Sequence, residues 1–317
     1  MKVLITAPVG EKVAARLREG LKHLDYELTF QDETELTEGM ENTDCEILVC
    51  YNPFKKMDFS RNDKLKAVIF VSAGIDQIPD YILNNEAIQI VNNNSTYSIP
   101  IAEWIIMCLL MGLKKYPAIL DKQKNRNWVF ERDILEVAGM RVLFLGSGQI
   151  ATEAARRAKF MGAHVVGYRR TVQENPDFDE IVYDESIDEE FKRANAVVVC
   201  LPDTDATKQF VNADRISLMR DDAILINISR GTVIEQEALV KALEAGKFRF
   251  VALDVVEEEP LPAESGLWDM DRLFLTTHTS WVSQHRPARL AKHILDHLLS
   301  FADTGKLLRE VNRRSKY

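Results

Sequence analysis

A glycine-rich turn in the middle of the sequence has the residue types and spacing of a phosphate-binding loop. In "LFLGSGQIA", Gly146, Gly148 and Ala151 fit the pattern GxGxxG/A. The first glycine permits a tight turn, the second lets a pyrophosphate approach the backbone, and the small third residue lets helix and strand pack closely. A helix starting near Gln149 would aim its free N–H groups at the phosphates. The turn therefore predicts a dinucleotide site; a glycine turn without a ligand is the alternative.

Two arginines follow the second apolar run after this turn. The segment "VVGYRRT" places Arg169 and Arg170 about where an acidic residue usually accepts hydrogen bonds from the ribose 2′-OH. Guanidinium groups match a 2′-phosphate, which an aspartate would repel. The arginines predict that NADP is preferred, with NAD possible. Solvated charges at a strand end are the alternative.

Polar groups that could transfer or hold a proton follow three further apolar runs. His278 closes "LFLTTH", Arg230 follows "AILINIS", and Asp254 precedes the acidic triplet 257–259. Histidine titrates in the range needed for proton transfer beside a nicotinamide. Alone, each has a structural explanation: a packing histidine, an ion-paired arginine, a solvated acidic face. Together at the carboxyl edge of one parallel sheet, where ligands bind, they indicate redox chemistry.

The remaining histidines and the cysteines do not form a metal motif. His293 and His297 stand four apart, but "HILDH" lacks the glutamate of HExxH and a third ligand, so we expect surface or packing residues and no metal. The cysteines lie mostly within apolar runs and have no CxxC spacing, which indicates buried free thiols of a cytosolic protein. The other histidines and the four cysteines are His23, His164, His285, Cys45, Cys50, Cys108 and Cys200.

Short β-rich runs alternate with helical patterns along both halves of the chain, as in parallel sheets covered on both faces. The first series is "KVLITA", "YELTF", "CEILVCY", "KAVIFVS" and "IQIVNN"; the second is "RVLFLG", "HVVGYRR", "AVVVCLP", "AILINIS", "FVALDV" and "LFLTTH". A long helix at about 99–119 separates the two series. The pattern predicts an α/β protein with two doubly wound units.

The last helical segment sets the domain boundaries. "RPARLAKHILDHLLSFADTG" is amphipathic, with Leu290, Ile294 and Leu298 at near-helical spacing and no strand beside it. We expect it to pack back on the first unit. This predicts a domain formed by 1–98 plus 284–317, with a dinucleotide-binding domain at 99–283 inserted into it and a ligand cleft between the two.

Composition and charge narrow the function classes. The chain has 317 residues, 46% hydrophobic and 28% charged, and a net charge of −9. These values fit a soluble globular protein and argue against binding nucleic acid or an anionic membrane. The N-terminus reads as a first strand and not as a signal peptide, and the apolar run 99–113 contains Glu103 and is too short to span a bilayer. We expect a cytoplasmic protein.

Several ordered motifs resemble those of the D-2-hydroxyacid dehydrogenase family over nearly the whole chain. After the glycine turn come "CLPDTDAT", "NISRG", "ALDVVEEEP" and "TTH", and before it stand "VSAGIDQIP" and "IPIAEWIIMCLL". The resemblance implies a Rossmann coenzyme domain inserted into a flavodoxin-like substrate domain. This sequence departs from the family at Ala151, at Arg169 and at Thr277, and only Arg169 affects a function, namely the choice of cofactor.

The resemblance also implies a role for each site residue. Arg230, Glu259 and His278 form the catalytic set, Asp254 contacts the nicotinamide carboxamide, and the backbone at Ala73 and Gly74 holds the substrate carboxylate. Cofactor binding falls on the glycine turn, the arginines, the "CLPDTDAT" loop and two strand ends. The residues concerned are Gly146, Ser147, Gly148, Gln149, Ile150, Arg169, Arg170, Leu201, Pro202, Thr207, Ile228 and Asp254.

The implied reaction transfers a hydride between NAD(P)H and a small 2-oxo acid to give a D-2-hydroxy acid, of the glyoxylate or hydroxypyruvate type. Alternatives are a D-3-phosphoglycerate dehydrogenase-like enzyme and a nucleotide-sensing corepressor of the same fold. A formate dehydrogenase fits less well, because formate oxidation needs no base such as His278. Aromatic residues that could line the substrate pocket are Tyr51, Phe54, Trp104 and Trp281.

A homodimer is also implied, with a segment like "KQKNRNWVFERD" reaching across it through Trp128. The surface of the apolar helix at 99–113 is too hydrophobic for one domain alone. Two alternatives stay open: the helix is a buried core element, and Trp128 packs within its own chain.

Overall fold

The computed structural model describes residues 1–75, 77–93, 95–311 and 313, and the chain divides into two compact units. Unit 1 comprises Met1–Tyr97 and the chain from Ser283, and unit 2 comprises Ser98–Val282. The boundaries expected from the sequence, 98/99 and 283/284, differ from these by one residue each.

Unit 1 is built on a five-stranded parallel sheet. Its elements are β1 (Lys2–Ile5), α1 (Glu11–Leu21), β2 (Glu27–Phe30), β3 (Met40–Glu41), β4 (Ile47–Cys50), β5 (Met57–Asp58), β6 (Ala67–Phe70), α2 (Asp80–Leu83) and β7 (Gln89–Val91). The order β2-β1-β4-β6-β7 is that of a flavodoxin-like sheet. The small parallel pair β3–β5 was not expected from the sequence.

Unit 2 is built on a seven-stranded parallel sheet. The elements that follow along the chain are α3 (Ser95–Leu113), α4 (Tyr116–Lys124), β8 (Arg141–Leu145), α5 (Gln149–Phe160), β9 (His164–Tyr168), β10 (Glu180–Val182), α6 (Ile187–Arg193), β11 (Ala196–Val199), α7 (Ala213–Leu218), β12 (Ile224–Asn227), α8 (Gln236–Glu244), β13 (Phe250–Leu253) and β14 (Leu273–Leu275). The order β10-β9-β8-β11-β12-β13-β14 contains the Rossmann arrangement, and β10 is a strand that the sequence reading missed.

The final helix α9 (Arg286–Thr304) packs in unit 1. Leu290, Ile294 and Leu298, the residues with near-helical spacing, are buried in one cluster with Val3 on β1 and Val49 on β4. Burying such aliphatic side chains contributes about 1.5–3 kcal/mol each. The apolar stripe of α9 thus covers one face of the first sheet.

The expected single helix at 99–119 is wrong, because the chain forms two helices there. The break falls at Lys115, which has φ +52°, and Pro117 lies in the first turn of α4, where its missing N–H is tolerated. The helix also begins earlier than expected. At 19 residues α3 is long and apolar enough to cross a membrane, so the expectation that this run is too short to span a bilayer is wrong. Of its most apolar 18-residue stretch, 61% is buried inside the protein, as in a core helix.

Candidate active site

The glycine turn lies between β8 and α5 at the carboxyl edge of the second sheet. Gly146 has φ +103°, and a Cβ there would come within 2.9 Å of the Cys200 carbonyl oxygen. Gly148 occupies the N-cap position of α5, and no side chain there accepts a hydrogen bond from the helix N–H groups. No atom lies within 4 Å of where a Cβ of Gly148 would be. The first N–H groups of α5 therefore face an uncrowded turn, where the helix dipole favours an anion.

Two buried polar atoms at this turn are suited to a phosphate-bearing ligand. Within the described part of the chain, neither Ser147 Oγ nor Arg169 Nε has a hydrogen-bond partner, although both are shielded from solvent. Buried polar atoms are ordinarily paired, and each exception calls for an explanation. A hydroxyl and a guanidinium N–H beside an uncapped helix N-terminus fit the phosphates of a dinucleotide.

Arg169 is held by the loop that follows β9. Its Nη2 donates to Gln173 Oε1 at 2.7 Å and its Nη1 to the Gln173 carbonyl oxygen at 3.3 Å. Asn175 Nδ2 donates to the Ser147 carbonyl oxygen at 3.3 Å, so the loop links the arginine to the glycine turn. Arg170 is exposed and makes no hydrogen bond or ion pair with any other described residue.

Further residues expected to bind the cofactor follow β11 and β12. Leu201 and Ile228 are 7% and 8% exposed. Thr207 is also buried, and its hydroxyl donates to the Pro202 carbonyl oxygen at 2.5 Å and accepts from the Thr204 N–H at 2.9 Å. Thr207 therefore shapes this loop through its own hydrogen bonds. In the first turn of α5, Gln149 is exposed and Ile150 is half-buried.

The three expected catalytic residues follow adjacent strands, since β12, β13 and β14 are neighbours in the sheet. Gly231, next to Arg230, explains how closely their loops approach. A Cβ at Gly231 would lie 1.9 Å from the Val256 carbonyl carbon, a distance that no side chain tolerates. The Val256 N–H in turn donates to Glu259 Oε1 at 3.2 Å. The arginine loop and the acidic loop are therefore packed together.

His278 and Glu259 form an ion-pair geometry across two of these loops. His278 Nδ1 lies 2.8 Å from Glu259 Oε2, and the side chains are 42% and 37% exposed. This contact leaves Nε2 of the imidazole for a ligand. Arg230 Nη1 donates to the Ser229 carbonyl oxygen at 2.8 Å, and Asn227 Nδ2 donates to the Arg230 carbonyl oxygen at 3.0 Å. The loop is thus anchored to the end of β12.

The Asp254 carboxylate is buried among hydroxyl and backbone donors. It is 1% exposed. Its carboxylate accepts hydrogen bonds from Thr276 Oγ1 at 2.5 Å, from the Thr279 N–H at 2.9 Å, and from the Ser280 N–H and Oγ at 3.2 and 2.5 Å. Sequence reasoning missed these three partners; the only signal was the run of hydroxyl residues around His278.

In unit 1 the loop after β6 presents backbone donors. Asn92 Nδ2 donates to the Ala73 carbonyl oxygen and Ser72 Oγ to the Gly74 carbonyl oxygen, each at 2.7 Å. Among the described residues, no acceptor is bonded to the N–H of Ala73 or Gly74. Two open N–H groups beside bonded carbonyls suit a carboxylate. Asp76, in the same sequence motif, lies outside the described residues.

The structure separates the four aromatic candidates. Phe54 packs against Phe59 in the first core, with ring centroids 5.9 Å apart, and Trp104 is 9% exposed. Tyr51 is 53% exposed after β4, and Trp281 Nε1 donates to the His278 carbonyl oxygen at 2.7 Å. Only Tyr51 and Trp281 remain as pocket candidates.

Two other histidines lie in the core of unit 1. His293 and His297 are 8% and 7% exposed, and their ring centroids are 4.7 Å apart. His293 Nε2 donates to the Phe70 carbonyl oxygen at 3.2 Å, and the Leu308 N–H donates to His297 Nδ1 at 3.3 Å. Both are packing residues, and the described residues contain no cluster of three or more metal-ligating side chains.

The chain is similar to known proteins of one enzyme family. The family model "D-isomer specific 2-hydroxyacid dehydrogenase, NAD binding domain" matches residues 106–280. A glyoxylate reductase of Thermococcus onnurineus is 28% identical over 316 residues, with 95% of this chain and 92% of that protein covered. A D-3-phosphoglycerate dehydrogenase of Methanocaldococcus jannaschii is 28% identical over 88% of this chain, which spans only 53% of that relative's length.

A solved structure covers the whole chain. The D-isomer specific 2-hydroxyacid dehydrogenase of Xanthobacter autotrophicus Py2, in complex with NADPH and MES, superimposes with a TM-score of 0.83 at 25% identity, with 100% of this chain and 99% of that chain covered. The family expected from the motifs is confirmed: the chain belongs to the D-isomer specific 2-hydroxyacid dehydrogenases and is an NAD(P)-dependent oxidoreductase of that family.

Proposed function

We propose that the enzyme reduces a small 2-oxo acid of the glyoxylate or hydroxypyruvate type to the D-2-hydroxy acid, with NADPH as the preferred cofactor. The observation that carries this proposal is the 2.8 Å contact between His278 Nδ1 and Glu259 Oε2. It lies beside the loop of Arg230, on the sheet edge that also carries the glycine turn. An imidazole oriented by a carboxylate next to a guanidinium suits proton transfer to the carbonyl of a carboxylate-bearing substrate.

The three side chains divide the reaction between them. When bound, the reduced nicotinamide would supply the hydride for the 2-oxo carbon. His278 Nε2 donates a proton to the carbonyl oxygen, while its Nδ1–H donates to Glu259, which fixes the ring and the tautomer. Arg230 holds the substrate carboxylate and polarises the carbonyl. In the oxidative direction, His278 starts neutral and takes the proton from the hydroxyl.

The geometry of the glycine turn and of the loop after β6 supports the remaining assignments. We assign the phosphates to the N–H groups of α5 and to Ser147 Oγ, which has no partner among the described residues. Arg169, held by Gln173, would bind the 2′-phosphate of NADP, with NAD accepted less well. The open N–H groups of Ala73 and Gly74 would bind the substrate carboxylate.

A D-3-phosphoglycerate dehydrogenase-like activity is the second candidate, because the relative from Methanocaldococcus jannaschii carries that name. A panel of 2-oxo acids, run with NADPH and with NADH, tests both. We expect the highest kcat/KM for glyoxylate or hydroxypyruvate with NADPH. A preference for 3-phosphohydroxypyruvate would select the second candidate, and absence of turnover with every acid would favour a nucleotide-sensing corepressor.

We also propose a cytoplasmic homodimer that associates through unit 2. Trp128 and Phe130 are 103% and 82% exposed, so packing of Trp128 within its own chain is ruled out. The base of their loop is fixed by Arg249 and Lys115, which pair with Asp133 at 3.1 and 2.7 Å. A rigid loop with an apolar tip favours burial against a second copy. Sedimentation of the wild type against Trp128→Ser with Phe130→Ser tests this, and an unchanged mass would contradict it.

A further inference from the structure

His278 has a backbone conformation that non-glycine residues rarely adopt, and the structure shows what holds it. Its φ is +53°, in the left-handed region. Its N–H donates to the Asp254 carbonyl oxygen at 2.8 Å, and its carbonyl oxygen accepts from Trp281 Nε1 at 2.7 Å. The peptide groups before and after the His278 Cα are therefore both held by hydrogen bonds.

The Asp254 carboxylate holds the same turn through its side chain. Oδ1 accepts from Thr276 Oγ1 at 2.5 Å and from the Thr279 N–H at 2.9 Å, which brackets His278 on either side. Oδ2 accepts from Ser280 Oγ at 2.5 Å; its other donor, the Ser280 N–H, is at 3.2 Å and is shared with Oδ1. Ser280 therefore supplies the one short hydrogen bond to Oδ2.

Asp254, Thr276 and Ser280 form a cluster of hydrogen bonds, and its burial limits the exchange of its donors with water. Asp254 is 1% and Ser280 is 6% exposed, so water has little access to replace a lost donor. Hydrogen bonds to a charged carboxylate are shorter and stronger than those between neutral groups, and a buried carboxylate that loses a donor reorients or attracts another. Both oxygens of Asp254 are already bonded within the protein, which assigns this side chain to the His278 turn.

We propose that Ser280 is a positioning residue for proton transfer: its hydroxyl holds Oδ2 of Asp254, and the carboxylate in turn holds the His278 turn so that Nε2 meets the substrate carbonyl. The inference rests on the proposed function, in which His278 transfers the proton. It goes beyond that function by giving Asp254 and Ser280 a task that is independent of cofactor binding.

Ser280→Ala removes the hydroxyl and keeps the backbone donor. We expect kcat to fall about 10-fold, well short of the ~10²- to 10⁴-fold loss for removing a general acid, because the imidazole remains but is less well oriented. The Kd of NADPH, measured by fluorescence titration, should stay within about twofold of wild type, because the lost hydroxyl bonds to Asp254 within the protein. A loss of kcat without a loss of NADPH binding identifies an effect on the chemical step. Ser280→Thr keeps the hydroxyl and should recover most of kcat.

Two further variants provide a second test of the positioning role and a control. Thr276→Val removes the other hydroxyl bonded to Asp254 and should give the same loss of kcat at unchanged NADPH affinity, even if Ser280→Ala fails to fold. Ser217→Ala, on the exposed face of α7, is the matched serine control and should match wild type in kcat and thermal midpoint.

The outcomes separate this inference from the proposed function. If Ser280→Ala and Thr276→Val keep wild-type kcat while His278→Ala does not, the positioning role is wrong and the function stands. If they weaken NADPH binding and leave kcat at saturation unchanged, the cluster serves the cofactor and the inference is overturned. Full turnover in His278→Ala would overturn both.

Discussion

The two parallel sheets present different chemistry at the same kind of edge. In unit 2 the loops after β12, β13 and β14 carry reactive side chains, of Arg230, Glu259 and His278, and pack so closely that only glycine fits at 231. In unit 1 the loop after β6 presents backbone N–H groups, at Ala73 and Gly74, while its carbonyls are bonded to side chains. The edge in unit 2 therefore offers side-chain donors and acceptors, and the loop after β6 in unit 1 offers main-chain N–H donors.

This difference shows which part of the function depends on the fold. A doubly wound sheet brings the carboxyl ends of its strands together in both units, but the groups at the two edges make different contacts. In unit 1 the Glu33 carboxylate accepts from the N–H groups of Tyr51 and Asn52. In unit 2 the Glu259 carboxylate contacts the His278 imidazole. Fold alone does not give activity; the residues on the loops do. Substitutions in unit 2 should therefore change catalysis, and substitutions in the core of unit 1 should change stability.

The largest effect is expected at His278. His278→Ala removes the proton donor and should lower kcat ~10²- to 10⁴-fold, with NADPH affinity unchanged. Glu259→Gln keeps the shape of the side chain but holds the His278 ring less firmly, so its kcat should lie between those of wild type and His278→Ala. Steady-state and single-turnover rates measure this. Equal activity of His278→Ala and wild type would show that the loop after β14 does not supply the proton donor.

Arg230 should affect binding and chemistry together. Arg230→Met removes the guanidinium and keeps a flexible apolar stem, and we expect kcat/KM to fall about 10²- to 10³-fold, as for other single donors to a reacting group. KM for the oxo acid should rise and kcat should fall, because one group serves ground and transition state. Arg16→Met, at an exposed position of α1 in unit 1, is the control; an effect on KM alone would limit Arg230 to binding.

Much of this site follows from local sequence patterns, and the rest depends on tertiary contacts. Alternating apolar runs indicate two parallel sheets, and the polar residues after them indicate the edge at which His278 and Arg230 lie. The short strand β10 was missed because its three residues are only half-buried and carry no apolar run. The close contact at Gly231 and the Ser280–Asp254 bond join segments 25 or more residues apart, so no local pattern announces them.

Cofactor choice should change by a smaller factor. Arg169→Asp replaces the guanidinium with a carboxylate, which repels a 2′-phosphate and accepts hydrogen bonds from a 2′-OH. We expect the ratio of kcat/KM for NADPH to that for NADH to fall by about 10- to 100-fold, since each 1.4 kcal/mol is a factor of ten. Arg16→Asp, at an exposed position of α1 in unit 1, makes the same charge change far from the glycine turn in sequence and is the matched control. An unchanged ratio in Arg169→Asp would discard the NADP assignment.

The last effect concerns acid stability instead of catalysis, and it distinguishes the two units. Burial and, to a smaller extent, the adjacent His297 ring lower the pKa of His293 from 6.5 to about 4, against the attraction of Asp296. The unfolded chain therefore binds this proton more tightly, so the free energy of unfolding of unit 1 is highest above pH 6.5 and falls as the pH drops toward 4. Over that range the loss is about 3 kcal/mol, at about 1.4 kcal/mol per pH unit.

In unit 2 the Arg141 guanidinium, bonded to Glu180 at 2.6 Å, lowers the pKa of that carboxylate from 4.5 to about 2, so its contribution is lost only below pH 4.5. All four tryptophans lie in unit 2, so their fluorescence follows unit 2 and hydrogen exchange of β6 follows unit 1. Between pH 7 and 5, His293→Phe should flatten the pH dependence of unit 1, while the exposed His23→Gln should leave it as in wild type. If tryptophan fluorescence reported the same acid loss as exchange in β6, the two units would not differ in their acid response.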